Sequence, residues 1–301
     1  AANAQQAVDF TLIARRVAEL GLTPGIVAMD GEQTAQAAQE VKLPSLQLVK
    51  HFIGRADESI ATPSEAQKLL FGEHRRRIPQ WHDLHRPALH GALHDSESYA
   101  LGHAAQAPFF DRQLPALLEE AFAEFARLTG RHYNPVSRFG TDKAKLLLVA
   151  QGAAIETACA VAEHVRKAHK LKVGVVGLHG LRPFPGAALV ELLKGKRAVA
   201  VLERLDTPLA GDPPLLRELR GAVDRALENG RFAADCHPGY PAMRENERPR
   251  LLSAVYGLGG LPLRVADLVE LCKQMDEKSA AQRYLGLDFH HGDTQHPKRQ
   301  V

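Results

Sequence analysis

Residues 146–152 read LLLVAQG: an unbroken apolar run at 146–150, followed by Gln151 and Gly152. Three similar short runs follow it along the chain: VGVVGL at 173–178, AVAVL at 198–202 and LLSAVY at 251–256. Segments with a helical spacing of apolar residues lie between and after these runs, at 153–169, 185–193, 215–227 and 265–275. Continuous apolar runs that alternate with helices are typical of a parallel sheet covered on both faces. The sequence therefore predicts an α/β domain here.

The chain before this domain predicts part of a second α/β unit. Residues 2–20 have an amphipathic helical pattern, the apolar run at 25–29 fits a buried strand, and Thr34 to Val41 fits another helix. The clearest helix covers 113–129, where an apolar stripe containing Phe122 and Phe125 ends before a glycine. These patterns indicate a helix–strand–helix unit of an α/β sheet, and we expect the earlier strands of that sheet to be missing.

Residues 54–112 show no sustained period and predict an irregular, polar connecting region. They contain Trp81, the basic run Arg75–Arg77 and six histidines: His74, His82, His85, His90, His94 and His103. The spacings of His82 to His85 and of His90 to His94 would suit two metal ligands on a helix, but nearby proline and glycine disfavour a helix there. We therefore expect solvated or hydrogen-bonded histidines, no metal site, and a solvated face for the three arginines.

Composition excludes several classes of protein. The 38 basic and 35 acidic residues give a net charge of +3, which is too small an excess to indicate nucleic-acid binding. The three cysteines, Cys159, Cys236 and Cys272, are far apart, which argues against a disulfide scaffold and a four-cysteine metal or cluster site. They indicate a reducing, cytoplasmic compartment, and no apolar run is long enough to span a membrane.

Phosphate-binding glycine motifs are missing from the sequence. Gly152 stands between a predicted strand and a helix, where a dinucleotide-binding loop would lie, but the spacing G-x-G-x-x-G is not present. The run Gly257-Leu258-Gly259-Gly260 also follows a strand without that spacing, and no Walker-type loop occurs. Dinucleotide, ATP and GTP binding are therefore disfavoured.

Arg182, Glu203 and Arg204 follow the ends of two predicted parallel strands. Open α/β sheets place their functional groups at this edge, so these residues are candidates for interdomain or substrate-side support. An arginine–glutamate ion pair that ties neighbouring loops together would need the same residue types, and this structural interpretation stays open.

An ordered set of segments resembles the thiamine-diphosphate-dependent 2-oxoacid:ferredoxin oxidoreductases, in particular the pyruvate:ferredoxin (flavodoxin) oxidoreductases. LRPFP, VAVLER, PLLRELRGAV and VYGLGG, between residues 181 and 260, resemble domain II of that family. AQQAVDFTLIA and DGEQTAQAAQEV resemble the end of domain I, and residues 94–133 resemble the stretch leading into domain II. The resemblance runs, with gaps, from about Ala4 to Met275.

The resemblance implies a fold and a domain division. Residues 1–141 would be the C-terminal part of a pyrimidine-type thiamine-diphosphate domain, with the irregular connecting region and a linker at 131–141. Residues 142–275 would be a parallel-sheet domain similar to the C-terminal domain of transketolases, with an extra loop at 229–250. Residues 276–301 would be an extended tail or linker.

The resemblance also implies a reaction: oxidative decarboxylation of pyruvate or a related 2-oxoacid to an acyl-CoA, with electrons passing to ferredoxin or flavodoxin. Thiamine diphosphate with Mg²⁺ and iron–sulfur clusters would serve the whole enzyme, and coenzyme A would be the co-substrate. Asp30, Gly31 and Thr34 would lie at a strand end on the cofactor side. No catalytic residue is assigned.

Several departures from the family pattern limit what this chain would do. VLER stands where the family has VLDR, the loop at 211–214 differs, and cluster cysteines and the domain binding the diphosphate are not in the chain. Both ends look cut, so we expect a segment or subunit that associates with the remaining domains or subunits in an oligomer and is inactive alone. Two alternatives remain: a non-catalytic scaffold on the same fold, and a transketolase-like or dehydrogenase-type thiamine enzyme, which the order of the motifs disfavours.

Overall fold

The computed structural model describes residues 1–80, 93–233, 235–275 and 282–287. Within these residues the chain forms two compact units, one comprising Asn3–Asn134 and the other beginning at Pro135. The division lies before the end of the predicted linker at 131–141, so part of that segment belongs with the second unit. The thiamine-diphosphate identity of the first part stays a prediction.

The first unit is mainly helical. Its described helices are α1 (Ala4–Gly21), α2 (Leu46–Ile53), α3 (Glu65–Phe71), α4 (Ser96–Pro108) and α5 (Leu114–Thr129), with a π-helical turn, Phe109–Gln113, between the last two. Strands β1 (Ser59–Ala61) and β2 (His74–Arg76) pair as an antiparallel ribbon. Helix α1 begins where the Asn3 side chain accepts the Gln6 N–H at 2.8 Å, a standard N-cap.

Aromatic side chains from three helices form the core of this unit. Phe52 of α2 and Phe125 of α5 are fully buried and meet edge to face, with ring centroids 5.2 Å apart. Phe10 of α1 meets Phe122 of α5 in the same way at 6.1 Å. The predicted helix at 113–129 is confirmed, and its apolar stripe lies in the core.

The strand predicted at 25–29 is wrong. These residues have no regular structure, and Ile26 is 93% exposed. A strand needs a neighbour for its backbone hydrogen bonds, and the described part of the first unit contains only the short β1–β2 ribbon. The helix predicted at 34–41 is also wrong: turns begin at Asp30, whose side chain accepts backbone N–H groups that a helix would use, and such turns compete with helix formation.

The region at 54–112 is more regular than predicted, because α3, α4 and the β1–β2 ribbon lie within it. The solvated face predicted for Arg75–Arg77 is wrong for two of its three arginines, since Arg75 and Arg77 are buried. The Arg75 guanidinium donates to the carbonyl groups of Glu19 and Leu20 at 2.9 and 3.0 Å, at the C-terminal end of α1. A cation there satisfies carbonyls that the helix leaves without partners.

The second unit is a six-stranded sheet with helices on both faces. Its strands are β3 (Val136–Phe139), β4 (Leu146–Gln151), β5 (Val173–Leu178), β6 (Ala198–Glu203), β7 (Arg250–Val255) and β8 (Gln282–Tyr284). Their spatial order is β3-β5-β4-β6-β7-β8, and all neighbouring pairs are parallel except β3 with β5. Its helices are α6 (Ala154–Ala168), α7 (Gly186–Leu193), α8 (Pro214–Phe232) and α9 (Val265–Gln274).

Alternate residues of each strand enter different cores. Leu148 of β4 belongs to the core under α6 and α9, whereas Leu147 and Val149 belong to the core under α7 and α8. This arrangement confirms the prediction of an α/β fold with a mostly parallel sheet buried on both faces.

Two strands of this sheet were not expected from the sequence. The linker predicted at 131–141 contains β3, which pairs with β5. The predicted tail contains β8, which pairs with β7. Residues 136–139 and 282–284 are short and carry charged or polar side chains, so their strand character comes from pairing with a buried neighbour.

Ser253 of β7 predicts a stabilising substitution. Its side chain is buried, and its hydroxyl makes no hydrogen bond with any described residue. Because a buried hydroxyl without a partner costs free energy, we expect Ser253→Ala to raise the free energy of unfolding by about 1 kcal/mol, measured by chemical denaturation. Ser137→Ala is the matched control, since the Ser137 hydroxyl lies 3.1 Å from His179 Nε2. A gain in the control alone would contradict this reasoning.

Candidate functional site

The strand order identifies one place where a site is expected. Strands β5 and β6 lie on opposite sides of β4, so the connections leaving β4 and β5 run in opposite directions. Open α/β sheets bind ligands beyond the carboxyl ends of the strands at such a switch point. Here that place is flanked by Gln151 and Glu203, the last residues of β4 and β6, and by Gly152 and Arg204, which follow them. We call the edge at which β4–β7 end the carboxyl edge.

Glu203 holds the start of α8. Its carboxylate is buried at the end of β6 and accepts the backbone N–H groups of Leu215 and Leu216 at 2.7 and 3.0 Å. The residue before this helix is Pro213, which offers no side-chain cap, so Glu203 supplies the acceptors that an N-cap residue would normally provide. The contacts therefore give Glu203 a structural role.

Arg182 also contacts α8. Its guanidinium donates to Glu218 Oε1 at 2.8 Å and to the Leu181 carbonyl at 2.7 Å, and both side chains of the ion pair are substantially exposed. The two candidates are therefore not joined by an Arg182–Glu203 pair in the described structure. Each of them connects a strand end to α8. Both residues therefore have the structural role considered above, but with other partners than each other.

Arg204 lies against the glycine run that follows β7. A Cβ atom at Gly257 would be 2.8 Å from Arg204 Cγ and Nε, and the φ angle of this glycine is +70°. Only a residue without a side chain fits so close to the arginine and adopts this backbone conformation without strain. Gly257 thus leaves room for the Arg204 side chain beside the end of β7, so the structure brings Arg204 and the glycine run together.

Two features of the carboxyl edge were missed in the sequence. His179 follows β5 and is largely buried, and burial lowers its pKa to about 4, so the ring is neutral at pH 7. Asp206 follows β6 and accepts the Tyr284 hydroxyl at 2.8 Å, which ties β8 to this edge. Their positions just after strand ends were the signal that could have identified them.

Asp30, Gly31 and Thr34 form a tight turn in the first unit. Asp30 Oδ1 accepts the N–H groups of Glu32 and Gln33 at 2.9 and 2.8 Å, and the Asp30 carbonyl accepts that of Thr34 at 3.2 Å. Thr34 is buried, and its hydroxyl has no hydrogen bond within the described structure.

This turn does not fit a diphosphate as it stands. An anion-binding loop offers backbone N–H groups, and here Asp30 already accepts them. No group of three or more histidine, cysteine or acidic side chains that could hold a metal ion occurs in the ranges that the structure describes. The assignment of Asp30, Gly31 and Thr34 to the cofactor stays a prediction.

The histidines of the connecting region are only partly covered by the structure. His74, His94 and His103 are exposed, and the His103 ring stacks on Tyr99. His82, His85 and His90, together with Trp81, lie outside the described residues. Among the helices in the described ranges, none is long and apolar enough to cross a membrane.

Glu203 gives a prediction about pH. Burial raises the pKa of its carboxyl above the ordinary 4.5, although its two backbone hydrogen bonds oppose this shift. The folded state then holds the proton more tightly than the unfolded state, so the stabilising contribution is present at low pH and is lost as pH rises from 4.5 through the folded-state value. We expect the stability of the parent relative to Glu203→Gln to fall as pH rises through this window, measured by denaturation at several pH values. A relative stability that rises instead would show that capping outweighs burial.

Comparisons with known proteins agree with this architecture. Residues 144–236 match the family model for the pyruvate:ferredoxin oxidoreductase core domain II. The pyruvate synthase subunit PorA of Thermotoga maritima is 28% identical over 288 residues, which cover 94% of this chain and 63% of that protein. A protein of Escherichia coli named "probable pyruvate-flavodoxin oxidoreductase" is 27% identical over 259 residues, covering 86% of this chain and 19% of the relative.

The chain therefore spans about a fifth of the length of the large flavodoxin-linked relatives and somewhat under two thirds of the PorA subunits. A solved 2-oxoglutarate:ferredoxin oxidoreductase from Magnetococcus marinus is 15% identical with a TM-score of 0.32, covering 69% of this chain and 26% of that one. That structural likeness is too low to support an argument. Residues 144–236 of the second unit thus match the core domain II that the sequence resembles, and the curated relatives are named as pyruvate synthase subunits and pyruvate-flavodoxin oxidoreductases.

Proposed function

We propose that this chain is a segment or subunit of a 2-oxoacid:ferredoxin oxidoreductase. The complete enzyme would convert pyruvate or a related 2-oxoacid, with coenzyme A, to an acyl-CoA and CO₂, and would pass two electrons to ferredoxin or flavodoxin. Thiamine diphosphate with Mg²⁺ would supply the electron sink for decarboxylation, and iron–sulfur clusters would carry the electrons. For the metal ions among these groups, the described residues offer no cluster of three or more histidine, cysteine or acidic side chains.

The observation that carries the proposal is the carboxyl edge of the core domain II. Large apolar side chains from three loops at this edge are at least two-fifths exposed: Leu181, Leu205, Leu209 and Leu261. These loops follow β5, β6 and β7. Exposed apolar groups of this kind mark surfaces that other protein covers, and in α/β sheets this edge faces the functional centre. They support a role in which domain II contributes a wall to a centre shared with other domains.

The role of this chain would be support of the centre. Glu203 and Arg182 fix the position of α8, while Arg204 and the neutral His179 lie at the carboxyl edge where a neighbouring domain would meet it. The side chains of Glu203 and Arg182 are both engaged with α8. This observation also favours the second candidate function, a non-catalytic scaffold.

An activity assay separates the two candidates. The chain alone and the complete gene product would each receive thiamine diphosphate, Mg²⁺, coenzyme A, several 2-oxoacids and an artificial electron acceptor. We expect no turnover by the chain alone and turnover by the complete product. Turnover by the chain alone would contradict a shared centre, and no turnover by the complete product with any 2-oxoacid would favour the scaffold.

A further inference from the structure

The amino edge of the second unit's sheet, where β4–β7 begin, carries a row of basic residues. Lys172 precedes β5, Lys145 precedes β4 and Arg197 precedes β6. The Lys145 N–H donates to the Lys172 carbonyl at 3.0 Å, and the Arg197 N–H donates to the Lys145 carbonyl at 2.8 Å. The three residues therefore lie side by side where adjacent strands begin. Lys145 is in the middle, about 4.8 Å from each of the other two.

Register places the three side chains on one face. Leu146 is aligned with Val173 and with Ala198, so the residues immediately before them, Lys145, Lys172 and Arg197, are aligned as well. Successive side chains of a strand alternate between faces, which directs this row toward the face covered by α7 and α8. All three residues are exposed.

More basic than acidic side chains surround the row. Exposed basic residues on the same edge precede β4, β5 and β7: Lys143, Lys170, Arg244 and Arg248. The acidic side chains in these segments are Asp142, Glu245 and Glu247, of which Glu245 pairs with Arg248 at 3.4 Å and Glu247 lies 3.8 Å from Lys194. The edge therefore has an excess of positive charge with single acidic residues interspersed.

Folding alone does not account for the two lysines of the row, Lys145 and Lys172. Cations near the end of α6, such as Arg166 and Lys167, complement the negative end of a helix dipole, but Lys145 follows a strand and a loop. Like charges on adjacent strands destabilise a sheet. Within the described part of the chain, neither the Lys145 nor the Lys172 ammonium group makes a hydrogen bond or an ion pair. Neighbouring cations without partners are expected where an anionic group from another molecule offsets the repulsion between them.

We propose that this basic edge docks an acidic surface on a partner protein. Carboxylates one helical turn apart lie about 5–6 Å from each other, a spacing close to that of the row. The interspersed Asp142 and Glu245 would repel the continuous charge of a nucleic acid but can meet basic residues of a protein. The segments that carry these charges, 142–145, 170–172, 197 and 244–248, contain no aromatic residue on which bases could stack. A second copy of the same edge would be repelled by like charge.

Binding of a labelled ten-residue oligoglutamate peptide tests the proposal, with a ten-nucleotide oligothymidine as the second probe. The full chain would be titrated at about 20 mM salt and again at about 150 mM, where exposed charges are screened more strongly. The variant Lys145→Glu/Lys172→Glu is compared with Lys42→Glu/Lys50→Glu, which changes net charge equally at exposed lysines of the first unit. Circular dichroism checks that both variants are folded.

We expect the peptide to bind at low salt, the double variant at the edge to weaken binding at least about tenfold, and the control to stay within about threefold of the parent. Equal weakening in both variants would show that only net charge matters and would overturn the proposal. So would an absence of peptide binding at low salt, or tighter binding of oligothymidine that the edge variant abolishes. The test does not require oxidoreductase activity.

Discussion

Phe125→Ala is expected to lower the free energy of unfolding of the first unit by about 3–5 kcal/mol, the usual cost of removing a buried phenyl ring. Phe125 is fully buried, its ring meets Phe52 at 5.2 Å, and the Arg131 guanidinium lies over it at 5.4 Å. The substitution would therefore leave a cavity between α2 and α5 and would remove an aromatic pair worth more than its area.

Chemical denaturation followed by circular dichroism measures this effect, with Phe232→Ala as the matched control. Phe232 ends α8 and is 61% exposed, so its replacement should change stability by less than about 0.5 kcal/mol. Because the chain has two units, the transition of the first unit has to be followed separately from that of the second. An unchanged midpoint for Phe125→Ala would mean that the aromatic core is not where the structure places it.

Asp9→Asn is expected to destabilise the first unit by about 3 kcal/mol. The Asp9 carboxylate is fully buried and accepts two hydrogen bonds from Arg131, at 2.6 and 3.0 Å, one from the Tyr133 hydroxyl at 2.7 Å and one from Gln5 at 3.0 Å. An amide cannot accept at both of its ends, so the substitution breaks the bidentate pair and places an N–H group opposite a cation.

Arg127→Ala is the control variant for the loss of stability expected in Asp9→Asn. Arg127 also pairs with a carboxylate, that of Glu124, at 2.7 Å, but its side chain is 63% exposed. Exposed ion pairs contribute little, so the change should stay within about 0.5 kcal/mol of the parent. Similar losses of stability in Asp9→Asn and Arg127→Ala would show that burial does not determine how much the hydrogen bonds of Asp9 contribute.

These two predictions concern the first unit, whereas the match to the family model lies in the second. The match to core domain II covers 144–236, which includes the switch point of the sheet and all of α8. Within this region the candidate residues divide by their contacts. Glu203 and Arg182 fix α8, and Arg204 lies over Gly257 at the carboxyl edge. The structure thus separates residues that hold the fold from Arg204, for which we propose contact with a neighbouring domain.

The sequence alone determined the four central strands of the second unit, β4–β7, and the four helices that cover them. The run at 173–178 is a strand over the same residues in the structure, and the run at 146–150 extends by one residue as β4. The reason is physical: a strand buried on both faces must be apolar along its whole length, and the covering helices must repeat their apolar residues at helical spacing. Both requirements are local and are visible in a single segment.

Tertiary structure decided which groups meet. The residues at 25–29 have the composition of a strand but form none, whereas 282–284 become a strand because β7 offers a partner. Glu203 accepts amides from the start of α8, and Arg75 reaches carbonyl groups of α1 more than fifty residues earlier in the chain. Hydrogen-bond partners of this kind depend on how separate segments pack, because a backbone or buried polar group takes whichever partner the folded chain brings within about 3 Å.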